Sequence, residues 1–349
     1  MKILITGASG FIGRYLANDA CARGHEVVAT FLSRPELATG VETVAKVQWR
    51  QLDLRDDGSV RRLVRAVEPE AVFHLGAQAY AKRAWANPTD TFDTNVLGTI
   101  RLYEALREHP PARGVLLTAS AAAYGIPPRL PVAEDAPLWA TNPYGVSKAC
   151  QEEVSFQYFQ NFGLRIVRAR LFGTTGPGKT GDALNDFARQ VAHLEAQGAP
   201  GAIRVGNLDT RRDVSDIRDV IPALWRVFEA GDPAQAVNVG AGRSYSVRWI
   251  AEQLVGLAKV PLTIEVDPAL LRPTDEPDNA ADVGRLRALG HQPQFPLERT
   301  IRDALDYWRG VESRGTSAGS SSTRRRKPRP RVRARAQARR RAPSARHAR

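Results

Sequence analysis

Short runs of consecutive apolar residues alternate, over the first half of the chain, with longer stretches whose apolar positions recur every three or four residues. The first pattern predicts buried strands and the second amphipathic helices. Strands are expected at 2–6, 26–32, 45–52, 71–75, 114–118 and 166–171. Helices are expected at 11–23, 59–67, 93–108 and 143–162, the last opened by Pro143. Strands alternating with helices imply parallel β-α-β units, so the predicted class is α/β, a Rossmann-type doubly wound parallel sheet. After Phe172 the rhythm changes. A Gly/Thr/Pro loop at 173–181 leads to a helix at 183–196, a strand at 203–205, a helix at 216–229 and a strand at 237–239. Short elements and Pro-rich loops then run to Trp308. The expected division is a sheet domain over 1–172, whose sheet also receives the 214–240 segment, a smaller α+β region over 173–312, and a disordered tail over 313–349.

Composition narrows the class. Of 349 residues, 43% are hydrophobic and 25% charged, as in soluble globular proteins. No stretch approaches the roughly 18 apolar residues of a membrane helix. The apolar run at 3–5 ends in a glycine turn, unlike a secretory signal. Cys21 and Cys150 are the only cysteines, so no disulfide framework is expected and a reducing, cytoplasmic setting fits. The net charge of +13 comes from one end. Residues 313–349 hold 14 Lys and Arg and no acid, leaving 36 basic and 37 acidic residues in the body. The tail would attract polyanions non-specifically and has no aromatic residue for base stacking; it is read as a disordered extension.

Between the first strand and helix lies Gly7-Ala8-Ser9-Gly10-Phe11-Ile12-Gly13. Glycines at this spacing allow a tight turn and let backbone approach a diphosphate at the positive end of the following helix, which points to a dinucleotide. The second strand ends in Phe31-Leu32-Ser33-Arg34, with no acid to accept ribose hydroxyls. A hydroxyl plus a guanidinium at Ser33 and Arg34 suits a 2′-phosphate, so NADP(H) is favoured over NAD(H). Asp53, after the third strand, either accepts from the adenine amino group or caps the next helix.

Tyr144 and Lys148 are four apart and so project from one helical face. A phenol of pKa near ~10 shuttles protons poorly at neutral pH, and a neighbouring ammonium favours its ionised form. Ser120 follows the 114–118 strand, where parallel sheets place ligand-facing groups, and is suited to bind the reacting oxygen. His74, on an apolar strand, reads as a packed core histidine. Histidines and cysteines show no metal-ligand spacing.

These residues carry a resemblance. The chain resembles the extended short-chain dehydrogenase/reductases acting on nucleotide sugars (the NAD-dependent epimerase/dehydratase family). The resemblance runs over residues 1 to about 310 through the glycine turn, Asp53-Leu54, His74-Leu75-Gly76-Ala77, Asn95, Ser120…Tyr124-Gly125, Pro143-Tyr144…Lys148, Gly176-Pro177 and Arg212-Asp213. Within it, Trp85-Ala86-Asn87-Pro88, Arg204-Val205-Gly206-Asn207-Leu208 and the 267–273 stretch look most like the GDP-mannose 4,6-dehydratase and GDP-4-keto-6-deoxymannose reductase group. The resemblance implies a catalytic set of Ser120, Tyr144 and Lys148. It implies cofactor contacts at Gly7, Gly10, Phe11, Ile12, Gly13, Ser33, Arg34, Asp53, Leu54, Leu75, Gly76, Ala77, Asn95, Thr118, Tyr144 and Lys148. Substrate contacts are implied at Gln78, Lys82 and Ser120, and Arg212 and Arg272 should face the diphosphate.

One position bears on the reaction. Dehydratases of this group carry an acid two residues after the catalytic Ser/Thr, which takes the C5 proton; here it is Ala122. Gly173 stands where the family has an Asn that touches substrate, and Ala281-Asp282 replaces Gly-Asp. The leading expectation is an NADP(H)-dependent reductase of a nucleotide-activated 4-keto-6-deoxy sugar, GDP-4-keto-6-deoxy-D-mannose to GDP-D-rhamnose. The alternatives are a 4-epimerase or 4,6-dehydratase of the same family, and, in another class, a non-catalytic cofactor sensor. Family members pair through helices at about 93–108 and 143–162, so a homodimer is expected.

Overall fold

The computed structural model of the chain describes residues 1–33, 46–271 and 276–320, with side chains described through 314. Seven strands form one wholly parallel sheet: β1 (Lys2–Thr6), β2 (Glu26–Phe31), β3 (Gln48–Gln51), β4 (Ala71–His74), β5 (Gly114–Ser120), β6 (Ile166–Leu171) and β10 (Ala236–Val239). Their order is β3-β2-β1-β4-β5-β6-β10. The reversal of strand order falls between β1 and β4, which opens a crevice at their carboxyl ends.

Both faces of the sheet are covered, which explains the uninterrupted apolar runs. Ile3, Ile5, Phe73 and Leu116 face α1 (Phe11–Ala22) and, from late in the sequence, α8 (Ile217–Ala230). Leu4, Val72, Val115 and Leu117, the alternate residues of the same strands, face α2 (Asp57–Val67), α5 (Gly98–Glu108) and α6 (Pro143–Phe162). The period of two along each strand sends successive side chains into different cores.

The bounds of α6 coincide with the prediction because local signals punctuate it: Pro143 opens it and Gly163, at φ 67°, closes it. The 93–108 prediction splits. Two short helices, α3 (Ala81–Ala86) and α4 (Pro88–Phe92), precede a π turn at Asp93–Leu97 that runs into α5.

A third core belongs to the smaller region, packed from α7 (Ala183–Gln197), α9 (Val247–Gly256) and α11 (Leu297–Ser320). It has two sheets: β7 (Gly173–Thr175), β9 (Arg211–Asp216) and β11 (Ser244–Ser246) in one, β8 (Gly201–Val205) and β12 (Leu262–Val266) in the other. A short α10 (Gly284–Ala288) packs near β10. In place of the short elements expected up to Trp308, α11 runs as regular helix past 313 to Ser320, and the rest of the expected tail lies outside the described residues. The inner face of α11 is apolar at Ile301, Ala304 and Leu305, a three-to-four spacing that packs against α7 and α9. No described helix is long and apolar enough to cross a membrane.

Candidate active site

Glycine chemistry builds the first half of the site. Gly7 has φ 67°, and a Cβ there would lie 2.7 Å from the Cα of Gly76, so the turns after β1 and β4 touch across the crevice. A Cβ on Gly13 would meet the Ala8 Cα at 2.5 Å, which lets α1 sit tight on the strand that feeds it. Gly10 is exposed, caps α1 and offers no side chain to its first N–H groups, and the first turn holds no acid. The open end of α1 therefore fits a diphosphate. Leu75, Gly76 and Ala77 continue β4 into the same crevice, and Leu54 packs against Gly76. Ser33 is exposed just past β2; Arg34 lies outside the described residues.

Asp53 keeps its carboxylate on Arg55, accepting from the Arg55 backbone N–H at 2.9 Å and from its guanidinium at 2.7 Å, which holds it below the usual carboxylate range. The alternative role as a helix cap is corrected: Asp56 caps α2 through the Ser59 N–H at 3.1 Å.

The second half gathers at the ends of β5 and α6. Ser120 closes β5, and Asn142 caps α6 by accepting from the Gly145 N–H at 2.9 Å. Gly145 is needed there, because a Cβ would lie 2.3 Å from the Ala122 carbonyl. That close approach brings the first turn of α6 onto the turn after β5, where the Ser120 hydroxyl is near enough to the Tyr144 phenol to favour its ionised form. Burial raises the Tyr144 phenol above its ordinary range, with Ser120 pulling weakly the other way. One turn on, Lys148 is buried and donates from Nζ to the Thr118 carbonyl at 2.9 Å. Burial lowers its pKa to about 8, against the attraction of Glu152. Thr118 spends its hydroxyl on the His74 carbonyl at 3.2 Å.

Glu152, missed in the sequence although it stands four residues after Lys148, belongs to a buried network. Arg170 donates through Nε to both Glu152 oxygens, at 2.8 and 2.9 Å, and through Nη1 to the Tyr124 hydroxyl at 2.7 Å. Tyr124 donates onward to Asn238 at 2.7 Å.

Other expected contacts are turned toward the protein. The Gln78 amide oxygen accepts from the Tyr80 N–H at 2.6 Å, and its nitrogen donates to the Thr91 hydroxyl at 3.0 Å. Asn95, on the π turn, accepts from the Gln78 N–H at 2.7 Å and donates to Ser147 at 2.9 Å. In this structure both residues hold the loop after β4. His74 is buried, with ring nitrogens on Thr6 at 2.6 Å and Thr99 at 2.9 Å, and burial drives its pKa down to about 3. Lys82 is exposed on α3.

Arg212 on β9 is half-buried, and its Nη1 donates to the Arg211 and Glu276 carbonyls, each at 2.7 Å. Asp213 beneath it accepts the N–H groups of Ala241, Gly242 and Ala281 at 2.7, 2.9 and 3.0 Å. Arg272 lies outside the described residues. Gly173 is explained by close packing: a Cβ there would lie 2.5 Å from the Asp213 carbonyl, so the strand pairing leaves no space for the family's Asn. Among the described residues no group of three His, Cys, Asp or Glu could hold a metal ion.

A phenol, a serine hydroxyl and a buried ammonium, set beside a dinucleotide turn, can exchange a proton with an alcohol or carbonyl while a nicotinamide exchanges a hydride. Comparison with known proteins agrees. A GDP-6-deoxy-D-mannose reductase of Pseudomonas aeruginosa is 30% identical over 311 residues, 88% of this chain and 97% of that protein. A UDP-glucose 4-epimerase of Mycolicibacterium smegmatis is 31% identical over 317 residues, 88% of this chain and 99% of that protein. The solved structure of RMD from Pseudomonas aeruginosa complexed with NADPH superposes with a TM-score of 0.74 at 29% identity, covering 89% of this chain and all of that one. The family model for GDP-mannose 4,6 dehydratase matches residues 4–304. With a match that spans most of the chain and a relative 30% identical over nearly its whole length, the chain belongs to the GDP-mannose 4,6-dehydratase family of extended short-chain dehydrogenase/reductases.

Proposed function

We propose that the chain is an NADP(H)-dependent reductase that converts GDP-4-keto-6-deoxy-D-mannose to GDP-D-rhamnose. The observation that carries the reading is Ala122 beside a complete Ser120–Tyr144–Lys148 set. Reduction of a ketone needs a proton donor and an oxygen-binding hydroxyl, both present. Dehydration needs a base for the C5 proton, which a methyl group cannot supply. The nicotinamide, when bound, supplies the hydride that arrives at sugar C4. Tyr144 gives its phenolic proton to the C4 oxygen, turning the ketone into an alcohol. Ser120 donates to the same oxygen and orients it. Lys148 keeps its charge one helical turn from Tyr144 and has two N–H donors beyond the one on Thr118, enough to hold the nicotinamide ribose.

The preference for NADP(H) over NAD(H) is supported by Ser33 where an acid would otherwise meet the ribose, with Arg34 next in sequence. The NADPH carried by the Pseudomonas relative's structure supports it too. Arg212, with Arg272, meets the substrate diphosphate. The reading carries with it a cytoplasmic setting. It also carries a homodimer built on the two long helices of the 93–162 stretch, where Leu97, Val146 and Phe162 are exposed. A single sedimenting species of monomer mass would count against the dimer.

The test mixes purified protein with NADPH and GDP-4-keto-6-deoxy-D-mannose and follows the near-ultraviolet absorbance of the reduced cofactor. Stoichiometric oxidation is the expected result, and repetition with NADH ranks the cofactors. The second reading, 4-epimerisation, is favoured by the 31%-identical epimerase relative. Interconversion of UDP-glucose and UDP-galactose without net oxidation of cofactor would overturn the reductase in its favour.

A further inference from the structure

Residues 7–13 of the glycine turn offer a diphosphate backbone N–H groups and no cation of their own, the adjoining Arg14 donating from Nε to the Ser9 carbonyl at 3.4 Å. A second segment reaches the same place from the far half of the chain. The loop after β7 docks on the first turn of α1: the Tyr15 hydroxyl donates to the Pro177 carbonyl at 2.9 Å, and the Tyr15 ring stands edge-on to Phe11 with centroids 5.2 Å apart. Gly178, at φ 81° and 3.2 Å from the Tyr307 ring in any Cβ-bearing form, makes the reversal that turns the chain inward. The next residue, Lys179, ends with its ammonium 5.6 Å from the centroid of the Phe11 ring. Phe11 is the first residue of α1, so a lysine charge is held within a side chain's length of the positive end of a helix.

Among the described residues that pairing of like signs meets one attracting carboxylate, Asp182, and no ion pair. Lys179 Nζ donates to the Thr174 carbonyl, a neutral partner. Asp182 attracts it from a distance, its carboxylate held in place by the Thr175 hydroxyl at 2.6 Å and the Asn185 N–H at 2.8 Å. Among the described residues no carboxylate comes within ion-pair distance of the ammonium. Burial holds the lysine below its ordinary range. A half-buried cation near an uncapped helix N-terminus is an arrangement that an anion between them stabilises.

We infer that Lys179 is a further binding residue for the dinucleotide. With two donors left after Thr174, its ammonium meets the cofactor diphosphate together with the first turn of α1. The inference rests on the dinucleotide reading of the glycine turn and on no particular sugar. It also makes the loop after β7, which belongs to the substrate-binding half, a part of the cofactor site.

The experiment titrates full-length wild type, Lys179→Met and Lys179→Arg with NADPH, NADH, ADP-ribose and GDP, each by calorimetry, with ligand-free melting temperatures measured in parallel. Lys179→Met should raise the Kd for NADPH, NADH and ADP-ribose alike by about tenfold to a hundredfold, flatten their salt dependence, and leave GDP unchanged. Lys179→Arg should restore most of the affinity. If Lys179→Met does not fold, Lys179→Gln makes the same comparison, since it keeps a donor for Thr174 and loses the charge. Wild-type ADP-ribose affinity in the folded neutral variant overturns the inference while leaving the dinucleotide site standing. Loss confined to GDP, or to NADPH alone, overturns it as well, by moving the lysine to the substrate or to the 2′-phosphate. A wild type that binds none of the dinucleotides removes the reading of the turn, and the role of Lys179 with it.

Discussion

Tyr144 is raised by burial and Lys148 lowered by it, so at neutral pH the pair holds a neutral phenol beside an ammonium. That is the protonation state a reductase needs. In the proposed reduction both groups act in their protonated forms, so reductive turnover should be level below about pH 8 and fall above it as Lys148 loses its proton. Lys148→Arg, which stays charged, should carry the plateau to higher pH, and a pH–rate profile of the two proteins measures the difference. Tyr144→Phe should lower turnover by about 10²–10⁴-fold with NADPH affinity kept within about twofold; unaffected turnover would remove Tyr144 from the chemistry. The four-residue spacing already placed Tyr144 and Lys148 on one face. The inward turn of Gln78 and Asn95 was not legible, because which polar partners a buried amide finds depends on Thr91 and Ser147, brought near by packing.

The caps decide how well α6 performs its task. Asn142 secures the first turn, and Tyr144 is the second residue of the helix, so the cap and the phenol move together. Asn142→Ala should cost about 1 kcal/mol in a denaturant melt and lower turnover, while Asn142→Ser should recover most of both; unchanged stability would show that the tight contact of Gly145 with Ala122 suffices alone. Elements bounded by local punctuation, such as α6 and the β1-turn-α1 unit, were readable from Pro, Gly and the apolar period. The helices α9 and α11 were not, because their apolar faces sit among Pro-rich loops and declare themselves only against α7. The π turn at 93–97 carried no local signal either; its wider ring accompanies the bonds that Asn95 makes to the loop after β4.

The described residues form three cores and one crossing: α8 and β10, contributed by the second half of the chain, complete the sheet domain of the first. Within it, His74 ties β4 to β1 and α5 as a neutral ring. Its folded pKa of about 3 lies below the unfolded value of about 6.5, so the unfolded state binds the extra proton between them and stability falls as the pH drops through that window. Between pH 7 and 4.5 the wild type should lose about 2–3 kcal/mol more than His74→Asn in urea melts; equal losses would show that the ring protonates without penalty. Deleting 321–349 should leave turnover intact, and an inactive truncation would show that the basic tail takes part. Taken alone, the sequence determined the α/β class, the glycine turn, the Ser-Tyr-Lys set and the absence of an acid at 122, because each depends on residue type at short range along the chain. Only the tertiary structure decided which amides face inward, why position 173 must be glycine and that Lys179 stands over the first turn of α1. Those depend on distances between segments far apart in sequence, which packing sets and local pattern does not.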